Sequence, residues 1–192
     1  MRNRLASMKV LPRSFYSRDT VKVARDLLGK KLVRKIRNRT ISGIITETEA
    51  YRYKDDPASH AFRGLTERNK VMFGQVGIAY VYFTYGMHYC FNAVAKNSHY
   101  EAGAVLIRSL KPELGINEMI KNRKIDSLNN LTNGPAKLTH AMSITKKQYG
   151  EDLTTLSSLY IIEGIKAKKI KANPRIGIKN GTEKLWNFKI EI

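Results

Sequence analysis

The run ITETEAY at residues 45–51 sets two glutamates two positions apart, with a tyrosine two positions further on. In a regular strand side chains alternate between faces, so Glu47, Glu49 and Tyr51 share one side. A carboxylate at a strand end, beside an aromatic ring and a long polar loop, has the chemistry of a general base acting on water. Glutamate pairs on a solvated sheet face are also common, and the spacing says only where the side chains point. Arg108 interrupts an otherwise apolar segment that begins at Ala104. It either faces water or pairs with a buried acid, because unpaired buried charge is costly, and Glu49 is a candidate partner. His60, after Ser59 in a polar loop, has the chemistry to stack on a ring, donate a hydrogen bond or transfer a proton. A solvent-facing or structural histidine is the commoner case. His88 and Cys90 lie two apart, and His99 and His140 are elsewhere. A structural zinc site needs four convergent ligands with closer pairings, so neither a metal nor another cofactor is expected. The chain has no Walker-type phosphate loop, no GxGxxG and no nucleophile elbow.

Those residues need a scaffold, and YVYFTYGMHYCFN at 80–92 is its clearest part. It reads as two short strands joined by a tight turn near Gly86. Alternation puts Tyr80 and Tyr82 on one face and Val81 and Phe83 on the other. Tyr85 falls at the turn, where a side chain projects from the sheet, although hairpin tips are normally polar. Asn92 ends the second strand, where an asparagine among aromatic residues either reads a base edge or satisfies a backbone group.

Around the hairpin, residues 1–19 read as irregular and basic, with 1–14 expected to be a flexible arm. Thr20 is read as the cap of a short helix ending at Gly29. Strands are expected at 31–36 and 41–49, a long loop at 52–66 and a short helix at 68–73. A strand at 104–110, a helix at 112–121, a polar loop at 122–134 and a helix at 135–142 follow, the last with Pro135 in its first turn. Closing strands are expected at 159–163, 165–171, 175–178 and 185–190. This order predicts one α+β domain over residues 1–192, built on a mostly antiparallel sheet.

The chain has 192 residues, 35 lysines and arginines against 16 acids, and a formal charge of +19. That excess is the footprint of a protein that neutralises phosphates, although charge speaks to partners and not to fold. A single cysteine excludes an internal disulfide and suits a reducing compartment, the cytoplasm, with nucleoid association if the chain is bacterial. No run of about 18 apolar residues and no apolar signal segment is present, so no membrane association is expected.

Taken in order, ETEAY at 47–51, SHAFRGLTERN at 59–69, MFG at 72–74, the hairpin at 80–92, GAVLIRSLKP at 103–112, NGPAKLTHAM at 133–142 and PRIGI at 174–178 resemble the alkyladenine (3-methyladenine) DNA glycosylase family. The agreement in order and spacing runs over roughly residues 15 to 190. The resemblance implies a single mixed domain around a curved antiparallel sheet, with a hairpin that enters the DNA minor groove. It implies a monofunctional glycosylase that flips alkylated or deaminated purines out of double-stranded DNA. No obligate protein partner is implied, and a monomer is expected. Glu49 looks like the family's water-activating carboxylate, assisted by Arg108 and the backbone carbonyl of Ile176. Tyr51, His60 and Tyr82 look like the walls around the flipped base, Asn92 like the group that opposes guanine's amine, and Tyr85 like the intercalating side chain. Arg68, Lys137 and Arg175 look like DNA-backbone contacts. Glu67 departs from the family by placing an acid where proline or a basic residue is frequent. Residues 122–132 match no motif.

From the residues alone two other readings stay open. One is hydrolysis or acyl transfer on RNA. The other is a single-strand RNA-binding module with a tyrosine stacking platform and no catalysis. Base flipping would give the same residues a connected task, because a base inside a duplex must leave the stack before its glycosidic bond can be reached.

Overall fold

The computed structural model describes residues 9–125 and 127–192. One sheet dominates: β1 (Lys31–Ile36), β2 (Arg39–Arg52), β3 (Ala79–Thr84), β4 (His88–Val94), β5 (Gly103–Leu114) and β6 (Leu159–Ile162) pair in the order β3-β4-β5-β2-β1-β6. Short β7 (Lys171–Asn173) pairs with β8 (Asn187–Lys189), and β8 pairs with β2. All these pairings are antiparallel. Among the described residues five short α-helices accompany the sheet: α1 (Arg13–Tyr16), α2 (Thr20–Asp26), α3 (Lys70–Phe73), α4 (Ile116–Arg123) and α5 (Pro135–Ala141). The α+β class and the curved antiparallel sheet are those the sequence predicts.

Strand β2 organises the molecule. Its first half pairs with β1, and Glu47–Glu49 pair instead with β8. Register shifts against β5 fall between Ile45 and Glu47 and between Glu47 and Thr48. Such bulges bend a strand and re-aim its side chains. Thr48 turns inward and donates to the Ala24 carbonyl of α2 at 2.7 Å, while Glu47 and Glu49 emerge on the opposite face.

Alternation in β3, β4 and β5 separates two apolar clusters. Val81, Phe91, Ala93, Val105 and Ile107 join the main core with Val23, Leu27 and Leu138 of the helical side. Tyr80, Val94 and Ala104 join a smaller cluster with Ala61 and Met72 on the other face. Burying a side chain such as Phe91 contributes about 1.5–3 kcal/mol, so the register of these strands is firmly specified. That register turns the odd-numbered residues of the hairpin toward the helices and the even-numbered ones toward a cavity.

Several boundaries differ from expectation. Asp19, not Thr20, caps α2, accepting from the N–H groups of Val21 and Lys22; Thr20 is buried and donates to the Ala95 carbonyl. β5 runs on through Pro112 to Leu114, and α4 begins only after Gly115, whose φ of +72° redirects the chain. Pro112 lies beyond the part of β5 that β4 covers, where a missing N–H is tolerated. Residues 165–170 and 175–178 are not strands. The expected arm shrinks: Leu11 is buried and donates to the Ile161 carbonyl, and Val10 bridges to Ile162. Residues 1–8 of that arm lie outside the described residues. Among the described residues no helix is long and apolar enough to cross a membrane.

Candidate active site

Glu49 is 0% exposed, in the part of β2 held between β5 and β8. Four donors converge on it. Oε1 accepts from the Ile176 backbone N–H at 2.8 Å and from Asn187 Nδ2 at 3.0 Å. Oε2 accepts from the Tyr51 hydroxyl at 2.8 Å and from Arg108 Nη1 at 3.3 Å. A carboxylate offers about four acceptor sites, and these four donors occupy them. Arg108 also donates from Nε to Glu47 Oε1 at 2.8 Å, and Asn187 Nδ2 reaches the same oxygen at 2.8 Å. The arginine that breaks the apolar run of β5 thus lies against both glutamates.

Tyr51, Arg108 and Ile176 also line a cavity of about 340 Å³, so Glu49 sits directly behind its wall. Burial, and then the nearby Glu49 charge, push the Tyr51 phenol well above its ordinary pKa, so it remains a donor. Across the cavity His60 meets Tyr82 edge-on at 4.6 Å between centroids, and its Nδ1 lies 2.9 Å from the Tyr80 hydroxyl. One edge of His60 faces solvent. Its aromatic neighbours still strip enough water to push its pKa down to about 4, with Arg68 adding to the effect, so the ring is neutral near pH 7. Asn69, itself buried, holds the His60 loop by donating to the carbonyls of His60 and Gly64. Asn92 is 3% exposed, lines the cavity and donates to the Tyr80 carbonyl at 3.1 Å. Cys90 is a small buried residue opposite Tyr82 in the hairpin.

Tyr85 is 85% exposed at the hairpin tip. Its φ is +50° and that of Gly86 is +66°. A left-handed conformation at a non-glycine residue costs of order 1–2 kcal/mol, and here it aims an aromatic ring outward at the cavity mouth.

The three expected backbone contacts divide. Arg68 is exposed, its guanidinium 5.1 Å from the centre of the Tyr82 ring. Lys137 projects from α5, held by Asn130 Oδ1 at 3.1 Å and Asn133 Oδ1 at 2.9 Å. Asn130 thereby ties the unmatched 122–132 segment to that lysine. Arg175 is a correction. Its side chain and that of Asp56 are both 0% exposed, joined through both terminal nitrogens, and Arg175 also donates to the carbonyls of Ala50 and Gly181. Its guanidinium lies 4.7 Å from the Tyr51 ring and 5.3 Å from the Trp186 ring. It offers nothing to a phosphate; it ties the 174–181 segment to the 53–61 loop.

Sequence reasoning missed Asn187, Asp56 and Trp186. Asn187 is 138 residues from Glu49, and no local spacing signals it. Among the described residues no group of three or more His, Cys, Asp or Glu side chains is placed to hold a metal ion.

Residues 14–192 match the methylpurine-DNA glycosylase family. A protein of Carboxydothermus hydrogenoformans named "Putative 3-methyladenine DNA glycosylase" is 49% identical over 181 residues, 93% of this chain and 94% of the relative. Proteins of the same name from Methanocella arvoryzae and Prosthecochloris aestuarii are 47% and 48% identical, over 94% and 91% of this chain and 92% and 84% of theirs.

Proposed function

The chain belongs to the methylpurine-DNA glycosylase family, and from that premise we propose that it flips damaged purines out of duplex DNA and hydrolyses their N-glycosidic bond, leaving an abasic site. The observation that carries the mechanism is Glu49, held by four donors behind the wall of an aromatic cavity below an exposed Tyr85.

In this reading the hairpin enters the minor groove and Tyr85 fills the space the flipped nucleotide leaves. Extrusion costs a few kcal/mol of stacking, which an inserted wedge partly offsets. The base lies among Tyr51, His60 and Tyr82, and stacking on such faces is worth about 1–3 kcal/mol per base. C1′ then faces Glu49. A water held by Glu49, Arg108 and the Ile176 carbonyl attacks as the bond to the base breaks. Glu49 takes the water's proton and stabilises the cation-like sugar, as carboxylates do in glycoside hydrolysis. The substrate class is 3-methyladenine, 7-methylguanine, hypoxanthine and ethenoadenine. N-alkylated purines already carry positive charge and leave readily; neutral hypoxanthine needs more help. A bare RNA-stacking platform would leave the buried Glu47–Arg108–Glu49 cluster without a task.

The direct test uses duplexes holding one hypoxanthine or one ethenoadenine, incubated with and without the protein and then treated with alkali. A glycosylase gives a strand break at the lesion; intact strands in both duplexes overturn the proposal.

Two variants test the cavity. Tyr85→Ser should weaken stable flipping about tenfold or more, from the loss of one aromatic stack, while binding to undamaged duplex changes little because the basic groups remain. A fluorescent flipped base reads this, and an unchanged flipping equilibrium removes the wedge role. Asn92→Ser should raise excision of normal guanine relative to hypoxanthine, since selectivity by exclusion is lost when the excluding side chain shrinks. An identical ratio in both proteins takes Asn92 out of the specificity set.

A further inference from the structure

We infer that Glu47 and Asn187 are positioning residues that keep Glu49 usable as a base, a role that rests on the glycosylase reading above. A guanidinium matches a single carboxylate with two parallel bonds. Arg108 is instead divided, with its short 2.8 Å bond to Glu47 and a longer 3.3 Å contact to Glu49. Glu47 therefore draws the arginine aside. Oε2 already accepts from Tyr51 and Arg108, and the 3.3 Å arginine contact is the weaker of the two, so it is the bond a water proton can displace; a two-bond clamp of Arg108 on Glu49 would close that opening. Asn187 completes the arrangement, its Nδ2 lying 2.8 Å from Glu47 and 3.0 Å from Glu49. It bridges two carboxylates that would otherwise repel.

The two residues act on the Glu49 charge in opposite directions. A second anion beside Glu49 favours its taking up a proton, and a donor to its oxygens opposes that. Glu47 is partly shielded, its side chain 13% exposed against 0% for Glu49, so solvent screens the interaction only in part. The other ionisable groups facing Glu49 are Tyr51 on its own strand, Arg108 from β5, Cys90 from β4 and Arg175 across the Tyr51 ring. Burial raises both Tyr51 and Cys90 above their ordinary values, so neither ionises in the working range. The arginines stay cationic.

The test is single-turnover release of hypoxanthine across the acid limb of the pH–rate profile. Glu47→Gln keeps an acceptor for Arg108 and Asn187 but removes the charge. Its maximal rate should fall about tenfold to a hundredfold, and its acid limb should move to lower pH, as loss of a neighbouring anion requires. Glu47→Asp keeps the charge and should leave the limb in place. Asn187→Ala removes a donor to Glu49, so its limb should move to higher pH. Opposite movements by two neighbours in one network are not the result of general loosening. A rate loss with unmoved limbs in Glu47→Gln and Asn187→Ala overturns the inference, as does a wild-type profile in both. If Glu47→Gln fails to melt cooperatively, the upward movement in Asn187→Ala decides alone. Where wild type releases base and the variants match its limb, only this inference fails. Where wild type releases none from any lesion, the glycosylase reading fails and takes this one with it.

Discussion

Glu49→Gln should release hypoxanthine from duplex DNA at least about 10²–10⁴-fold more slowly than wild type, the typical cost of losing a general base. Loss of the charge that faces the cation-like sugar adds to this. The substitution keeps size and shape, so binding to abasic-site DNA should survive. It does not keep hydrogen bonding. All four groups around Glu49 are donors, and the glutamine NH₂ can accept from none of them. Leaving a buried donor unpaired costs about 1–3 kcal/mol, so the variant should melt somewhat below wild type, and rates belong well below that temperature. Glu47→Gln is the matched control. It removes the same charge from the same strand but touches the reaction only through Arg108 and Asn187, so it should stay the more active of the two. If Glu49→Gln cuts at close to the wild-type rate, or if Glu47→Gln is the inactive one, the base has been misassigned.

What the sequence made legible here is what local pattern encodes. Alternation in the hairpin separates Tyr80 and Tyr82 from Val81 and Phe83; Val81 joins the main core, while Phe83, nearer the tip, stays 50% exposed. A lone arginine in an apolar strand left two readings, water or a buried acid, and two acids lie against it. The strand-like pattern of 175–178 misled for a physical reason. Gly177 adopts φ +75°, and the Ile176 N–H goes to Glu49 and not to a ladder partner. Asn187 and Asp56 were illegible because their partners come from distant parts of the chain, 138 residues away for Asn187 and 119 for Asp56. Arg175 was misread because sequence shows that a residue is charged but not that its charge is buried.

That buried pair predicts the largest effect on stability. Asp56→Ala leaves the Arg175 guanidinium enclosed without a counter-charge, and breaking a buried pair from one side typically costs about 3–5 kcal/mol. For a domain of this size each kcal/mol moves Tm by about 2–4 °C, so a fall of roughly 10 °C is expected. Asp56 also accepts from the backbone N–H groups of Arg52 and Ala58, so the loop that carries His60 should loosen as well. Excision should drop with it, since Arg175 is the residue next to Ile176. A double replacement, Asp56→Leu with Arg175→Met, separates the two consequences. Apolar substitution of a whole buried pair removes the unpaired charge, so Tm should recover in part, held below wild type because the carbonyls of Ala50 and Gly181 and the N–H groups of Arg52 and Ala58 lose their partners. Activity should not, because the ion pair that fixes the 53–61 loop against the 174–181 segment is gone. Thermal melting and single-turnover excision on the same samples give the comparison. An Asp56→Ala protein that melts within about 1 kcal/mol of wild type, the value of an exposed pair, shows that the pair is not holding the two segments together.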